Sequence, residues 1–124
     1  MRNNGLVTRH RRKKSQDLLL FSTKVTDAGL KELKELKNLR FLNLHSTKIT
    51  DAGLKELTGL KLKNLESLCL DSTKVTDAGL RELKGLKKLV GLGLVGTKVT
   101  AAGVREHQVA LPYVTIHRTY RVIR

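Results

Sequence analysis

Two apolar rhythms alternate along the chain. Leu39-Arg40-Phe41-Leu42-Asn43-Leu44-His45-Ser46-Thr47 returns as Leu65-Glu66-Ser67-Leu68-Cys69-Leu70-Asp71-Ser72-Thr73 and again as Leu89-Val90-Gly91-Leu92-Gly93-Leu94-Val95-Gly96-Thr97. Leucines two apart, such as Leu42 and Leu44, alternate with polar or small residues, the period of a short strand with one buried face. An earlier copy keeps Leu18, Leu20 and Thr23 but has Ser15 where the leading leucine belongs. Between these stretches the spacing changes. Leu30, Leu33 and Leu36 lie three apart, as do Leu54, Leu57, Leu60 and Leu80, Leu83, Leu86, amid lysines and glutamates. That predicts helices with one apolar stripe.

A recurring signature joins strand to helix. Thr23-Lys24-Val25-Thr26-Asp27-Ala28-Gly29-Leu30 recurs from Thr47 and Thr73, and in altered form as Thr97-Lys98-Val99-Thr100-Ala101-Ala102-Gly103-Val104, in steps of 24, 26 and 24 residues. The chain is therefore a repeat array. Thr26, Thr50 and Thr76 are the expected N-caps, because a hydroxyl can accept from an early orphan N–H. Asp27, Asp51 and Asp77 place negative charge at the helix start. Gly29, Gly53 and Gly79 follow in the first turn, where glycine costs about 1 kcal/mol against alanine. Its repetition points to a close approach of the neighbouring coil. The two extra residues of the longer unit belong to the loop Lys61-Leu62-Lys63-Asn64. In the last unit His107 stands at a core leucine position, the helix should end by Ala110 before Pro112, and Tyr113 to Ile116 should form a final strand.

One such unit cannot close a core. Stacking several buries the leucine ladders and pairs the strands in parallel. The predicted fold is a short α/β solenoid, right-handed by the usual crossover rule, with a parallel sheet on one face and helices on the other. Thr23, Thr47, Thr73 and Thr97 should bond backbone groups at the turn after each strand. The first strand has no evident cap, which leaves an open sheet edge and points to a shortened array or one that pairs with itself. The array is expected over 15–117. Residues 1–14 form a basic segment, read either as a decayed repeat helix or as a solvated tail, since Asn3-Asn4-Gly5-Leu6 echoes Asp27-Ala28-Gly29-Leu30. Residues 118–124 are a basic tail.

Composition narrows the picture. At 124 residues the chain suits one domain. Its hydrophobic content is 40% but its aromatic content only 3%, so the core is aliphatic. The one cysteine, Cys69, excludes an intrachain disulfide framework and suits a reducing compartment. No apolar run approaches the roughly 20 residues of a membrane span. A soluble, cytoplasmic protein is expected. The net charge is +14, with six basic residues and no acidic one in 1–14, and Arg118, Arg121 and Arg124 at the other end.

Leu-x-x-Leu-x-Leu-x-x-Thr followed by a short helix, every 24 residues, resembles the leucine-rich repeat. The Thr-Asp-Ala-Gly-Leu variant resembles repeats of large bacterial proteins and is more distantly similar to the cysteine-containing repeats of F-box adaptors. The closing Ala110-Leu111-Pro112-Tyr113-Val114-Thr115-Ile116 resembles the end of the bacterial arrays, with Val114 in place of their cysteine. The resemblance spans roughly residues 15–117. It implies protein recognition, with no cofactor and no catalysis.

Strand alternation assigns the outward face. Its candidate contact residues are Leu19, Phe21, Phe41, Asn43, His45, Cys69, Asp71 and Val95, with no lysine or arginine among them. A small, neutral, partly apolar face suits a protein partner better than a polyanion. Phe21, Phe41 and His45 are the favoured contacts. His45, Cys69 and Asp71 are zinc-ligand types, but three residues on a flat sheet converge poorly, so no metal is expected. Nor does a pocket or oxyanion device accompany Cys69 and His45. The alternative function is binding of nucleic acid or another polyanion through Arg9, Arg11, Arg12, Lys13 and Lys14 and the ladder Lys24, Lys48, Lys74, Lys98. No membrane and no small-molecule substrate is expected. The reading is a non-catalytic protein–protein interaction module.

Overall fold

A computed structural model describes residues 17–19 and 24–118. Five short strands, β1 (Asp17–Leu19), β2 (Phe41–Asn43), β3 (Ser67–Cys69), β4 (Gly91–Gly93) and β5 (Thr115–His117), pair in parallel in chain order. The register aligns Leu18, Leu42, Leu68, Leu92 and Ile116 across the sheet. The ladder continues past the strands, with the N–H groups of Leu44, Leu70 and Leu94 donating to the carbonyls of Cys69, Gly93 and His117. Leu42, Leu44, Leu68, Leu70, Leu92 and Leu94 are at most 2% exposed and meet the helix leucines Leu30, Leu33, Leu54, Leu57, Leu80 and Leu83 in one continuous core. The strand period of two and the helix stripe thus face each other across a single aliphatic layer.

The helical side is less uniform than its sequence. Helix α1 spans Asp51–Gly59, α2 spans Asp77–Glu82 and α3 spans Ala101–Ala110. The first unit instead forms a 3₁₀ helix over Ala28–Glu35, and α2 tightens into a 3₁₀ turn over Leu83–Gly85. This corrects the expected cap at Thr26, since no side chain caps the 3₁₀ helix. Thr50 and Thr76 do cap, accepting from the N–H groups of Ala52 and Ala78 at 3.3 and 3.2 Å, and Thr100 accepts from Gly103 at 3.1 Å. In the longer unit Leu60 is only partly buried, while Leu62 is 1% exposed. Lys61, at φ 54°, turns the inserted loop so that Leu62 completes the core.

The coils are clasped by their aspartates. Asp27 accepts from the Thr50 N–H at 2.8 Å and from its hydroxyl at 2.5 Å. Asp51 holds Thr76 in the same way at 2.7 and 2.5 Å, and Asp77 holds Thr100 at 2.8 and 2.6 Å. Each carboxylate therefore fixes the cap residue of the next helix. The first-turn glycines exist to admit it. A Cβ at Gly53, Gly79 or Gly103 would overlap the carboxylate of Asp27, Asp51 or Asp77 respectively. The Thr100 hydroxyl bonds hold the Asp77 carboxyl below the usual carboxylate range.

Threonine hydroxyls seal the turn after each strand, as expected. Thr47, Thr73 and Thr97 donate to the carbonyls of Leu44, Leu70 and Leu94 at 2.8, 2.7 and 2.7 Å. Thr23 lies outside the described residues. The residue before each of these threonines has positive φ: Ser46 at 57°, Ser72 at 58° and Gly96 at 76°. A non-glycine residue there carries roughly 1 kcal/mol of strain. Ser72→Gly should accordingly stabilise the array by about 0.5 kcal/mol, read as a raised urea midpoint at unchanged slope; a lowered midpoint would remove strain as the reason for the glycine at position 96.

Candidate protein-binding face

The outward strand positions form rows across the sheet: Phe41, Ser67, Gly91 and Thr115, then Asn43, Cys69, Gly93 and His117. Phe41, the first residue of β2, is 41% exposed. Its ring does not stand alone. The Arg40 guanidinium lies 5.7 Å from the ring centroid, within cation–π range. Arg40 is in turn forked onto Glu66 through Nε and Nη2, both at 3.1 Å. An arginine therefore borders a face expected to lack one. The sequence did carry a signal, because Arg40 and Glu66 occupy the same position in successive units. Val90, the third member of that column, is 50% exposed and adds a second apolar group at the same strand end. It was not among the expected contacts.

His45 does lie beside Asp71, but the pair makes no acid–base unit. His45 Nδ1 faces the backbone carbonyl of Asp71 at 3.4 Å and the Ser46 hydroxyl at 3.1 Å. The Asp71 carboxylate points the other way and accepts from the Val95 N–H at 2.9 Å. On that path it lies over Gly93, where a Cβ would sit 2.8 Å from Oδ1. Asn43 accepts from the His45 N–H at 3.0 Å, so its side chain braces the turn. Cys69 is half-buried, and burial pushes its thiol up from the ordinary value. A thiol so placed is a poor nucleophile at neutral pH. Among the described residues no group of three His, Cys, Asp or Glu side chains could hold a metal.

Val95 requires a correction. It is 7% exposed and offers no contact surface. Its N–H donates to Asp71 and its carbonyl accepts from the Ser72 N–H, which draws it against the preceding coil. The side chain of Leu19, all of Phe21, and the basic residues Arg9, Arg11, Arg12, Lys13 and Lys14 lie outside the described residues. Lys24, Lys48, Lys74 and Lys98 are all exposed on the rim where the strands end. None of the helices described is long and apolar enough to cross a membrane.

This geometry agrees with what the chain is similar to. Residues 35–57 match the family model described as Leucine Rich repeat. No curated protein matches the chain by sequence. Among solved structures, Leiomodin-1 Actin-Binding Site 2 superposes with a TM-score of 0.65 at 14% identity, covering 88% of this chain and 72% of that one. An internalin from Listeria monocytogenes superposes with a TM-score of 0.52 at 22% identity, covering 88% of this chain and 35% of the internalin. The fold is the α/β leucine-rich repeat.

Proposed function

We propose that this array is a non-catalytic protein-interaction module of the bacterial Thr-Asp-Ala-Gly-Leu type, acting in the cytoplasm and presenting its strand face to a protein partner. The observation that carries the reading is Phe41: an aromatic ring exposed on a rigid parallel wall and braced by the Arg40–Glu66 fork. Rigid aromatic anchors lose little entropy on binding and dominate interface energetics. Asn43, His45 and Cys69 flank the ring with half-buried polar atoms, and Val90 extends the apolar surface. The likeness to a segment titled an actin-binding site supports a protein as the class of partner.

Phe41→Ala should leave the thermal unfolding of the array nearly unchanged, because the ring lies outside the core. It should weaken capture of a specific partner by about thirty-fold, the effect of truncating a central interface aromatic. Affinity capture with the wild-type and variant chains, followed by titration of the recovered partner, measures this. Equal retention by both chains would move the binding surface away from the strand face.

A further inference from the structure

Lys24, Lys48, Lys74 and Lys98 form a column held in register by the backbone. The N–H groups of Lys48, Lys74 and Lys98 donate to the carbonyls of Val25, Ile49 and Val75 at 3.2, 3.4 and 3.0 Å. The residue after each lysine, Val25, Ile49, Val75 or Val99, is buried in the core. The four lysine backbones therefore stack coil upon coil at about 4.8 Å, the spacing of paired strands.

Among the described residues, no ammonium of this column is held in a direct ion pair; the ion pairs are Arg40–Glu66, Arg81–Glu106 and Lys84–Glu106. The aspartates three positions further on from Lys24, Lys48 and Lys74 lower the net charge of the rim but make no direct ion pair with it. Asp27, Asp51 and Asp77 each turn both carboxylate oxygens to the threonine of the next coil. Like charges at this spacing repel, and the fold holds them in line.

We propose that the lysine column is a second docking surface, for an acidic helix of a protein partner laid across the strand ends. The spacing is the first reason. Glutamates at i, i+4, i+7 and i+11 share one helix face with successive steps of roughly 5–6 Å. Alternate residues of an extended strand would be about 6.6 Å apart, a poorer match. The chemistry is the second reason. Lysines are point charges rather than the arginine forks that favour phosphate. No aromatic residue stands at 24–27, 48–51, 74–77 or 98–101, so bases would find nothing to stack on. This surface is separate from the strand face: Phe41 lies where the strands begin, and the lysines lie beyond where they end.

The test uses the full chain at low salt and a labelled alanine-based helical peptide with glutamates at i, i+4, i+7 and i+11, compared by fluorescence anisotropy with its glutamine counterpart and with oligo(dT). The glutamate helix should bind, the glutamine helix should not, and affinity should fall as salt rises. Lys48→Glu/Lys74→Glu should weaken binding about tenfold or more. Lys55→Glu/Lys87→Glu, the same charge change on the helical side, and Phe41→Ala should each change it by less than about twofold. Should the glutamate variant lose its circular dichroism signal, Lys48→Gln/Lys74→Gln is read instead, with a smaller loss in the same direction. Absence of binding, equal loss in the helical-side variant, loss in Phe41→Ala, or tighter binding of oligo(dT) that is lost in the row variant would each overturn the proposal.

Discussion

Gly79→Ala should destabilise the array by about 3 kcal/mol, even though alanine is intrinsically the better helix former by about 1 kcal/mol. The new methyl would fall on the Asp51 carboxylate, with the Asp51 Cγ 2.9 Å and the Leu54 Cδ1 3.0 Å away. Leu54 can yield by a small rotation. Asp51 cannot, because its two oxygens are committed to the N–H and hydroxyl of Thr76. Asp51→Ala alone should cost about 2–3 kcal/mol, the loss of charge-assisted bonds to a part-buried cap. The informative result is the double variant. With Asp51 already removed, Gly79→Ala should become nearly neutral or mildly stabilising, a coupling of about 3 kcal/mol between the two sites. Urea unfolding of the four proteins measures it. An equal penalty for Gly79→Ala in both backgrounds would mean that the glycine answers to something other than the neighbouring carboxylate.

His107→Leu should stabilise the array by about 2 kcal/mol and raise Tm by several degrees. His107 occupies the position of Leu33, Leu57 and Leu83 and is 1% exposed, and neither ring nitrogen has a hydrogen-bond partner. Burial lowers its pKa from the ordinary value, and the Lys84 ammonium of the preceding coil lowers it further. The Leu80 carbonyl opposes this weakly and makes no hydrogen bond to the ring. The sign for pH follows directly. The folded protein resists protonation, whereas the unfolded chain takes its proton near pH 6.5. The stability attached to neutral His107 is therefore complete above about pH 6.5 and declines as pH falls toward the depressed folded value, by at most about 1.4 kcal/mol per pH unit. The leucine variant should lose this decline while keeping the acid transition of the carboxylates at lower pH. Thermal melts of both proteins between pH 7 and pH 5 decide it; parallel curves would show that His107 finds a proton-tolerant site after all.

Both predictions concern residues that the sequence marks without explaining. Repetition of glycine in the first helical turn signals a steric demand, but the group that imposes it lies 26 or 28 residues away, on the preceding coil. Asp51 reads as a helix-dipole charge, which it is. Its larger role, clasping Thr76, depends on how two coils stack. The face shows the same division. Alternation places Phe41, Asn43, His45, Cys69 and Asp71 on one side, and the register does put His45 beside Asp71. It does not reveal that the Asp71 carboxylate turns to Val95, or that this contact helps bury Val95. The Arg40–Glu66 fork likewise needs the coils in register before a position in one repeat becomes a partner of the same position in the next.

The sequence alone settled the architecture: the 24-residue period, the strand and helix in each unit, the parallel pairing and the leucine core. These follow from periodicity, since a residue that recurs at one step of a stacked array must meet its own copy. Tertiary structure decided what the polar residues do. It converted the first helix to 3₁₀, assigned the aspartates to the next coil as well as their own, drew Val95 inward and left four lysines in line without a direct ion pair. A polar side chain has several partners within reach of its own segment, and the choice among them is made by what the adjacent coil brings alongside.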